Sequence, residues 1–278
     1  MINFFKEQYI DHKSHFDNEE YFLIMRDWHN NEGGFALDSI SQKCINDTLK
    51  LNDVRRVLDA GCGEGSPMVF LAQQNPNTSF LGIDVSIVGI RMAKELAVSK
   101  SVANTNFKNL YLEKLDDEIK EEYFDFIYSI SSIEHVENIN LVIKNFYKLL
   151  RKGGLLFIRV ENGALIDNII KAVMKYLFHC HKIKKIKNTF VIDKNNESES
   201  HRHNFDTYSI PSDSLLSLLK KTGFQIDFFT TNRASFLKSL TFEKMPFWKR
   251  FLSYPILKFN FFPFIHLGAT IVILAKKQ

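Results

Sequence analysis

Val57-Leu58-Asp59-Ala60-Gly61-Cys62-Gly63-Glu64-Gly65 is the stretch whose reading decides the fold. An apolar strand runs into an acid, three glycines follow at every second position, and a helix is predicted from Pro67 to Gln74. Ser79 to Asp84 then reads as a second strand, and it too ends in an acid. Glycine lets a backbone turn tightly and approach a ligand, because a Cβ would stand in the way. The helix start offers N–H groups that lack intrahelical partners. Asp84, at a strand tip, can accept from both hydroxyls of a ribose, since a carboxylate has two acceptor oxygens. Together these features suit a parallel α/β sheet that holds an adenosine-bearing cofactor.

A dinucleotide site prefers G-x-G-x-x-G, in which the third glycine packs helix on strand. Counted from Gly61, that place is held by Ser66. Asp59, ahead of the first glycine, would repel a pyrophosphate and attract a cationic amino-acid group. The D-x-G-x-G-x-G pattern resembles motif I of the class I S-adenosylmethionine-dependent methyltransferases. Three later blocks resemble the same family in the same order. Phe124-Asp125-Phe126-Ile127-Tyr128-Ser129 is similar to its fourth strand. Ile133-Glu134-His135-Val136 is similar to the stretch after that strand. Leu149-Leu150-Arg151-Lys152-Gly153-Gly154-Leu155-Leu156-Phe157-Ile158 is similar to its helix, Gly-Gly turn and fifth strand. The resemblance runs from about residue 55 to 160.

Strands are predicted at Arg56–Asp59, Ser79–Asp84, Phe107–Leu112, Phe124–Ser129, Leu155–Val160, Phe224–Thr230 and Ala269–Ala275. Helices are predicted between them at Pro67–Gln74, Ile87–Ser101, Asn140–Leu150 and Pro211–Thr222. Strands alternating with helices argue for βαβ units and a parallel sheet. The resemblance implies a Rossmann-like three-layer α/β sandwich, with a mostly parallel seven-stranded sheet in the order 3-2-1-4-5-7-6. Residues 1–50 read as helical, with Tyr21, Phe22, Ile24, Met25 and Trp28 at roughly helical spacing, and the resemblance implies that they form a cap. Residues 51–278 would form the methyltransferase domain, with substrate-side insertions at 161–210 and 233–266.

The chain has 278 residues, 45% of them apolar, ample for a buried core. The net charge is +4, from 36 basic and 32 acidic residues, which does not by itself imply nucleic acid. Cys44, Cys62 and Cys180 are odd in number and far apart. They offer neither a disulfide framework nor metal spacing, and a reducing cytoplasm is the default. The first residues lack a basic region followed by an apolar run, so no signal peptide is expected. No transmembrane helix is expected in the phenylalanine-rich region, because polar residues and Pro255 and Pro263 interrupt it.

The resemblance implies S-adenosylmethionine as cofactor and S-adenosylhomocysteine as product. Backbone groups of Gly61, Cys62 and Gly63 would pack on its methionine part and ribose. Asp59 would lie near the ammonium, Asp84 would take the ribose hydroxyls, Val85 would meet the adenine face, and Leu112 would also contact the cofactor. Ser129 and Ile130 would line the sulfonium side. The family's usual acid on the third strand is missing, with Tyr111 near its place.

His135 is the first candidate for a general base, because histidine titrates near neutrality. His201 and His203 come next. His135 can equally serve a structural hydrogen bond. Glu134 and His135 are two metal-type ligands without a third, so no metal is expected. No Asn-Pro-Pro-Tyr-like motif follows the fourth strand, and no nucleic-acid partner is expected. The expected acceptor is small or lipid-like and is methylated at oxygen. Two segments, the basic amphipathic 164–187 and the aromatic 233–266, either cover the sheet as a lid or touch a membrane surface. Two other functions keep the glycine loop: a non-catalytic cofactor-binding scaffold, and a nicotinamide-dependent oxidoreductase. Sequence leaves the oligomeric state open.

Overall fold

The computed structural model describes residues 17–31, 39–51, 54–161, 183–186, 189–192, 210–232 and 270–278. Two helices, α1 (Glu19–Asn31) and α2 (Ser39–Leu51), precede β1 (Arg56–Ala60). The alternating region follows: α3 (Ser66–Gln74), β2 (Ser79–Asp84), α4 (Ile87–Ser99), β3 (Thr105–Asn109), the short α5 (Leu115–Glu118), β4 (Phe124–Ile130), α6 (Ile139–Leu149) and β5 (Leu150–Glu161). Then come β6 (Ile183–Ile186), β7 (Thr189–Ile192), α7 (Ser212–Thr222), β8 (Phe224–Asn232) and β9 (Thr270–Lys277).

Seven strands form one sheet in the order β3-β2-β1-β4-β5-β9-β8, while β6 and β7 pair separately as an antiparallel hairpin. With the hairpin set aside, this is the expected order 3-2-1-4-5-7-6. The β1–β2, β1–β4, β2–β3 and β4–β5 pairs are parallel. β1 and β4 are buried along most of their length, which is why they read as continuous apolar runs.

The chain divides into two compact units, one of residues 1–159, 216–229 and 272–278, the other of residues 160–215 and 230–271. In the first, Met68 and Leu71 of α3, Ile90 and Ala93 of α4, and the rings of Phe80, Phe107, Phe126 and Phe157 build one apolar core. Burying each such ring contributes about 1.5–3 kcal/mol. At the amino end of β4, Asp125 accepts from the N–H groups of Arg55 and Arg56 at 2.9 and 2.7 Å, and from Arg151 Nε. Burial pushes this carboxyl up, but Arg151 and the two N–H groups outweigh it and hold it below its ordinary value. The second unit contains the hairpin, where the sequence reading placed the basic end of segment 164–187. There Ile183 pairs with Ile192 and Ile186 with Thr189.

Two strand predictions are corrected. The third strand is Thr105–Asn109 rather than 107–112. Asn109 Nδ2 donates to the carbonyls of Asp84 and Val85, and Leu110 N–H donates to Asp84, which ends the pairing. Leu112 then enters a 3-10 turn, Leu112–Lys114. The fifth strand begins at Leu150, because the Gly-Gly pair is a bulge within the ladder and not a turn before it. Gly153 has φ +76°, a conformation that suits glycine.

Among the described residues, no helix is long and apolar enough to cross a membrane. Residues 164–182, 187 and 233–266 lie outside the described residues, as do His201 and His203.

Candidate active site

The glycine loop bends over the end of β2. The N–H groups of Gly61 and Cys62 both donate to the carbonyl of Ile83, at 2.8 and 3.0 Å. Gly61, Gly63 and Gly65 have φ of +92°, +53° and +80°. At Gly65 the space is closed as well, since an added Cβ would lie 2.7 Å from Ala93 Cβ. At Gly61 it would lie 2.0 Å from Ser132 Oγ. The alternating glycines thus serve both chain reversal and close packing. Ser66, where a dinucleotide motif needs its third glycine, is buried and donates to Glu64 at 2.6 Å.

Asp84 sits where β2 ends and the chain enters α4. One carboxylate oxygen accepts from Gly63 N–H and the other from Ser86 N–H, both at 2.8 Å. Val85 N–H also supports this carboxylate, whose two oxygens offer about four acceptor sites in all. Asp59 is buried at 4% exposure, and Tyr128 donates its hydroxyl to it at 2.9 Å. Glu64, also buried, faces Arg26 Nε at 3.5 Å. Desolvation pushes all three acids up: Asp59 to about 8, Asp84 and Glu64 above their ordinary values. Their mutual repulsion adds to the shift of Asp59. An arriving cation would relieve the cost of ionising them.

The cavity in front of these acids has three further walls. Val85, Leu110 and Leu112 form an apolar one. Tyr21, Phe22, Met25 and His29 of α1 form the second, since residues at i, i+4 and i+8 share one helix face. The third comes from the carboxyl ends of β4 and β5: Ile130, Ser131, Ser132, His135 and Arg159. Burial, followed by the charges of Asp84 and Glu64, pushes the Tyr21 phenol up to about 12, so it keeps its proton. Burial lowers His29 to about 4, so its imidazole is neutral at physiological pH. Helix α1 is fastened by Arg26, which also donates to the carbonyl of Met92 at 3.1 Å. Asp17 accepts from Ile87 N–H and Ser86 Oγ, both at 2.9 Å.

The structure brings Asp59, Gly61, Cys62, Gly63, Asp84, Val85, Leu112, Ile130 and His135 to this one cavity. Ser129 does not line it: fully buried, its hydroxyl donates to the carbonyl of Ala60 at 2.9 Å and ties β4 to β1. His203 lies outside the described residues. Glu134, next to His135 in the turn Ile133–His135, is buried and does not line the cavity that His135 joins. Among the described residues, no group of three His, Cys, Asp or Glu side chains could hold a metal ion.

Sequence reasoning missed His29, Glu64 and Arg159 as lining residues. For His29 the signal was its place eight residues after Tyr21 on an amphipathic helix. For Arg159 it was a lone cation near the carboxyl end of an apolar strand.

The residues present fit an adenosyl cation with an amino-acid tail. Asp59, Glu64 and Asp84 line the cavity on the glycine-loop side, and Val85, Leu110 and Leu112 give it an apolar wall.

Comparison with known proteins agrees with this geometry. Residues 51–207 match a family described as a methyltransferase domain. A ubiquinone biosynthesis O-methyltransferase from Glaesserella parasuis is 27% identical over 210 residues, 71% of this chain and 78% of that protein. Phosphoethanolamine N-methyltransferase 1 from Triticum aestivum is 33% identical over 126 residues, 45% of this chain. The matched part spans only 24% of the wheat protein's length. Among solved structures, Haemonchus contortus phosphoethanolamine N-methyltransferase 2 in complex with S-adenosyl-L-methionine superposes with a TM-score of 0.62 at 16% identity, covering 97% of this chain and 60% of that one.

Proposed function

Because this chain belongs to the S-adenosylmethionine-dependent methyltransferases, we propose that it methylates a small or lipid-like acceptor at a hydroxyl oxygen. The observation that supports oxygen is the pair of imidazoles, His29 and His135, lining one cavity. A neutral imidazole accepts a hydrogen bond from a hydroxyl and can take its proton as the oxygen becomes a nucleophile.

The cofactor supplies an electrophilic methyl on a sulfonium. In transfer, the S–C electron pair would stay on sulfur as the acceptor oxygen takes the methyl, and the acceptor proton would go to a base or to water. The donor is already activated, so positioning is the main task of the protein. Asp84 and the Gly61–Gly63 backbone would hold the ribose side, and Asp59 the ammonium. Val85 and Leu112 would pack on the adenine. Tyr21, Phe22 and Met25 would exclude water from the reacting centre, and His135 would receive or relay the proton.

An amine acceptor is the second reading, favoured by Glu113 and Glu137 in the same lining and by the N-methyltransferase name of the wheat relative. Incubation with labelled S-adenosylmethionine and a panel of phenols, catechols and primary amines separates the two. Label on amines alone would overturn the oxygen reading. Tight S-adenosylhomocysteine binding with no transfer to any acceptor would favour a cofactor-binding scaffold.

Residues 1–50 would be the cap and 51–278 the methyltransferase domain. The reaction would take place in the cytoplasm, consistent with neither Cys44 nor Cys62 being in a disulfide. Segments 164–187 and 233–266 would enclose an apolar acceptor or touch a membrane surface. An absence of liposome co-sedimentation at low salt would remove the surface role.

A further inference from the structure

The carboxyl edge of the sheet carries a charge order. Read across neighbouring strands, β2 ends in Asp84, β1 carries Asp59 one residue before its end, β4 ends at Ile130 followed by Ser131, and β5 presents Arg159. Neighbouring strands lie roughly 4.8 Å apart, so β5 stands about 10 Å from β1, and the register sets Arg159 two residues further toward the carboxyl end than Asp59. Arg159 is the one lysine or arginine in the cavity lining among the described residues.

Its place is fixed by its neighbours. Ile130 pairs with Arg159 in the β4–β5 ladder, and Ser131 N–H donates to the Arg159 carbonyl at 2.8 Å. Arg159 Nη1 donates to Ser131 Oγ at 3.0 Å. Ser131 achieves this with φ +51°, a left-handed conformation that a residue with a Cβ adopts at a cost. Strain of this kind collects at functional sites, where the surroundings hold it. Here it leaves one face of the Arg159 guanidinium steadied by a hydroxyl beside the cavity.

We propose that Arg159 is the acceptor-side anchor, so that the substrate of this enzyme carries a carboxylate or phosphate besides the group that is methylated. The inference rests on the methyl-transfer reading above. Guanidinium offers a planar fork of donors that matches carboxylate and phosphate oxygens two at a time. The cationic cofactor belongs on the acid side of the edge, over β1 and β2. The acceptor then lies over β4 and β5, with its anion on Arg159 and its nucleophile turned toward the methyl. Such a two-ended grip sets the in-line angle, which a neutral acceptor of the same shape would lack.

Two measurements on the full chain test this. The first needs no turnover: with saturating S-adenosylhomocysteine, inorganic phosphate and benzoate are titrated against chloride at constant ionic strength and binding is followed by calorimetry. Wild type is expected to bind at least one of the two anions at millimolar concentration, Arg159→Gln at least tenfold more weakly, and Arg159→Lys in between. The second compares matched acceptors, catechol with 3,4-dihydroxybenzoate and ethylamine with β-alanine. The anionic member is expected to show a KM at least tenfold lower, with the ratio falling toward one in Arg159→Gln. Absence of anion binding in wild type, or an anion preference that survives in Arg159→Gln, overturns the proposal. A chain that binds no S-adenosylhomocysteine and methylates nothing instead overturns the methyl-transfer reading, and the anion titration, repeated without cofactor, still decides on Arg159.

Discussion

Replacing Asp59 by asparagine keeps the shape of a buried side chain and removes its proton equilibrium. In the cofactor-free protein Asp59 titrates at about 8, because burial opposes its charge more strongly than the Tyr128 hydroxyl supports it. An unfolded aspartate titrates near about 3.9. Between these values the folded state holds a proton that the unfolded state has released. The stability that this proton brings is therefore fully present below about pH 4 and is lost as pH rises toward 8. His29, lowered to about 4, has the opposite slope, since its folded state refuses a proton that the unfolded chain accepts. That contribution is complete above about pH 6.5. From there to pH 8, the difference between wild type and Asp59→Asn isolates Asp59, and wild type should lose about 2 kcal/mol relative to the variant. Urea unfolding at four pH values measures it. Parallel stability curves for the two proteins would refute the buried-proton argument. Cofactor binding must discharge the same proton, because an ammonium near Asp59 favours its ionised form. Calorimetry of S-adenosylmethionine binding near pH 7 in two buffers of different ionisation enthalpy should report proton release in wild type, and less in Asp59→Asn.

Gly65→Ala combines φ +80° with a Cβ 2.7 Å from Ala93 Cβ, and should cost about 3 kcal/mol from left-handed strain plus overpacking. A loss under about 1 kcal/mol in urea would show that the loop has room to shift. Asp84→Asn turns one acceptor of the Gly63 and Ser86 N–H groups into a donor, and should weaken S-adenosylhomocysteine about 100-fold, or about 3 kcal/mol. An affinity within twofold of wild type would remove the ribose role. Asp125→Ala strands the N–H groups of Arg55 and Arg56 and the Arg151 guanidinium, and should destabilise by about 2–3 kcal/mol. Asp125 lies at the amino end of β4, opposite the cavity, so cofactor affinity should stay within threefold of wild type. A larger change in affinity would mean that the two ends of the sheet are coupled.

The β1–loop–β2 region was legible in the sequence because its information is local. The glycines, Asp59 and Asp84 lie within 26 residues, and their spacing alone sets where the acids stand. The rest depends on partners distant in sequence. Asn109 ends β3 by reaching back to the carbonyls of Asp84 and Val85, so the apolar run through Leu112 was misread as strand. Gly153-Gly154 looks like a turn unless the β4–β5 register is known. Ser129 sits at a strand end that faces the ligand in the resembled family, yet its hydroxyl bonds to β1. His29 and Arg159 were hidden because a lone polar residue on an apolar face has no periodic signature. Whether it meets solvent, core or cavity is decided by elements elsewhere in the chain.

Helix α1 carries a consequence for kinetics. Its anchors lie far ahead in the chain: Arg26 meets Glu64 and Met92, Asp17 meets Ser86 and Ile87, and Glu19 meets Arg91. Thirteen residues form a helix that is marginal on its own. The part of the wall translated first therefore docks last, after α3 and α4 exist to receive it. The Glu19–Arg91 pair is about half exposed at both ends and holds little energy against water. Phe22 is the firmer fastening, its ring seated beside Gly63 and where a side chain at Gly89 would intrude. Amide hydrogens of α1 should therefore exchange with solvent well before those of β1 and β4.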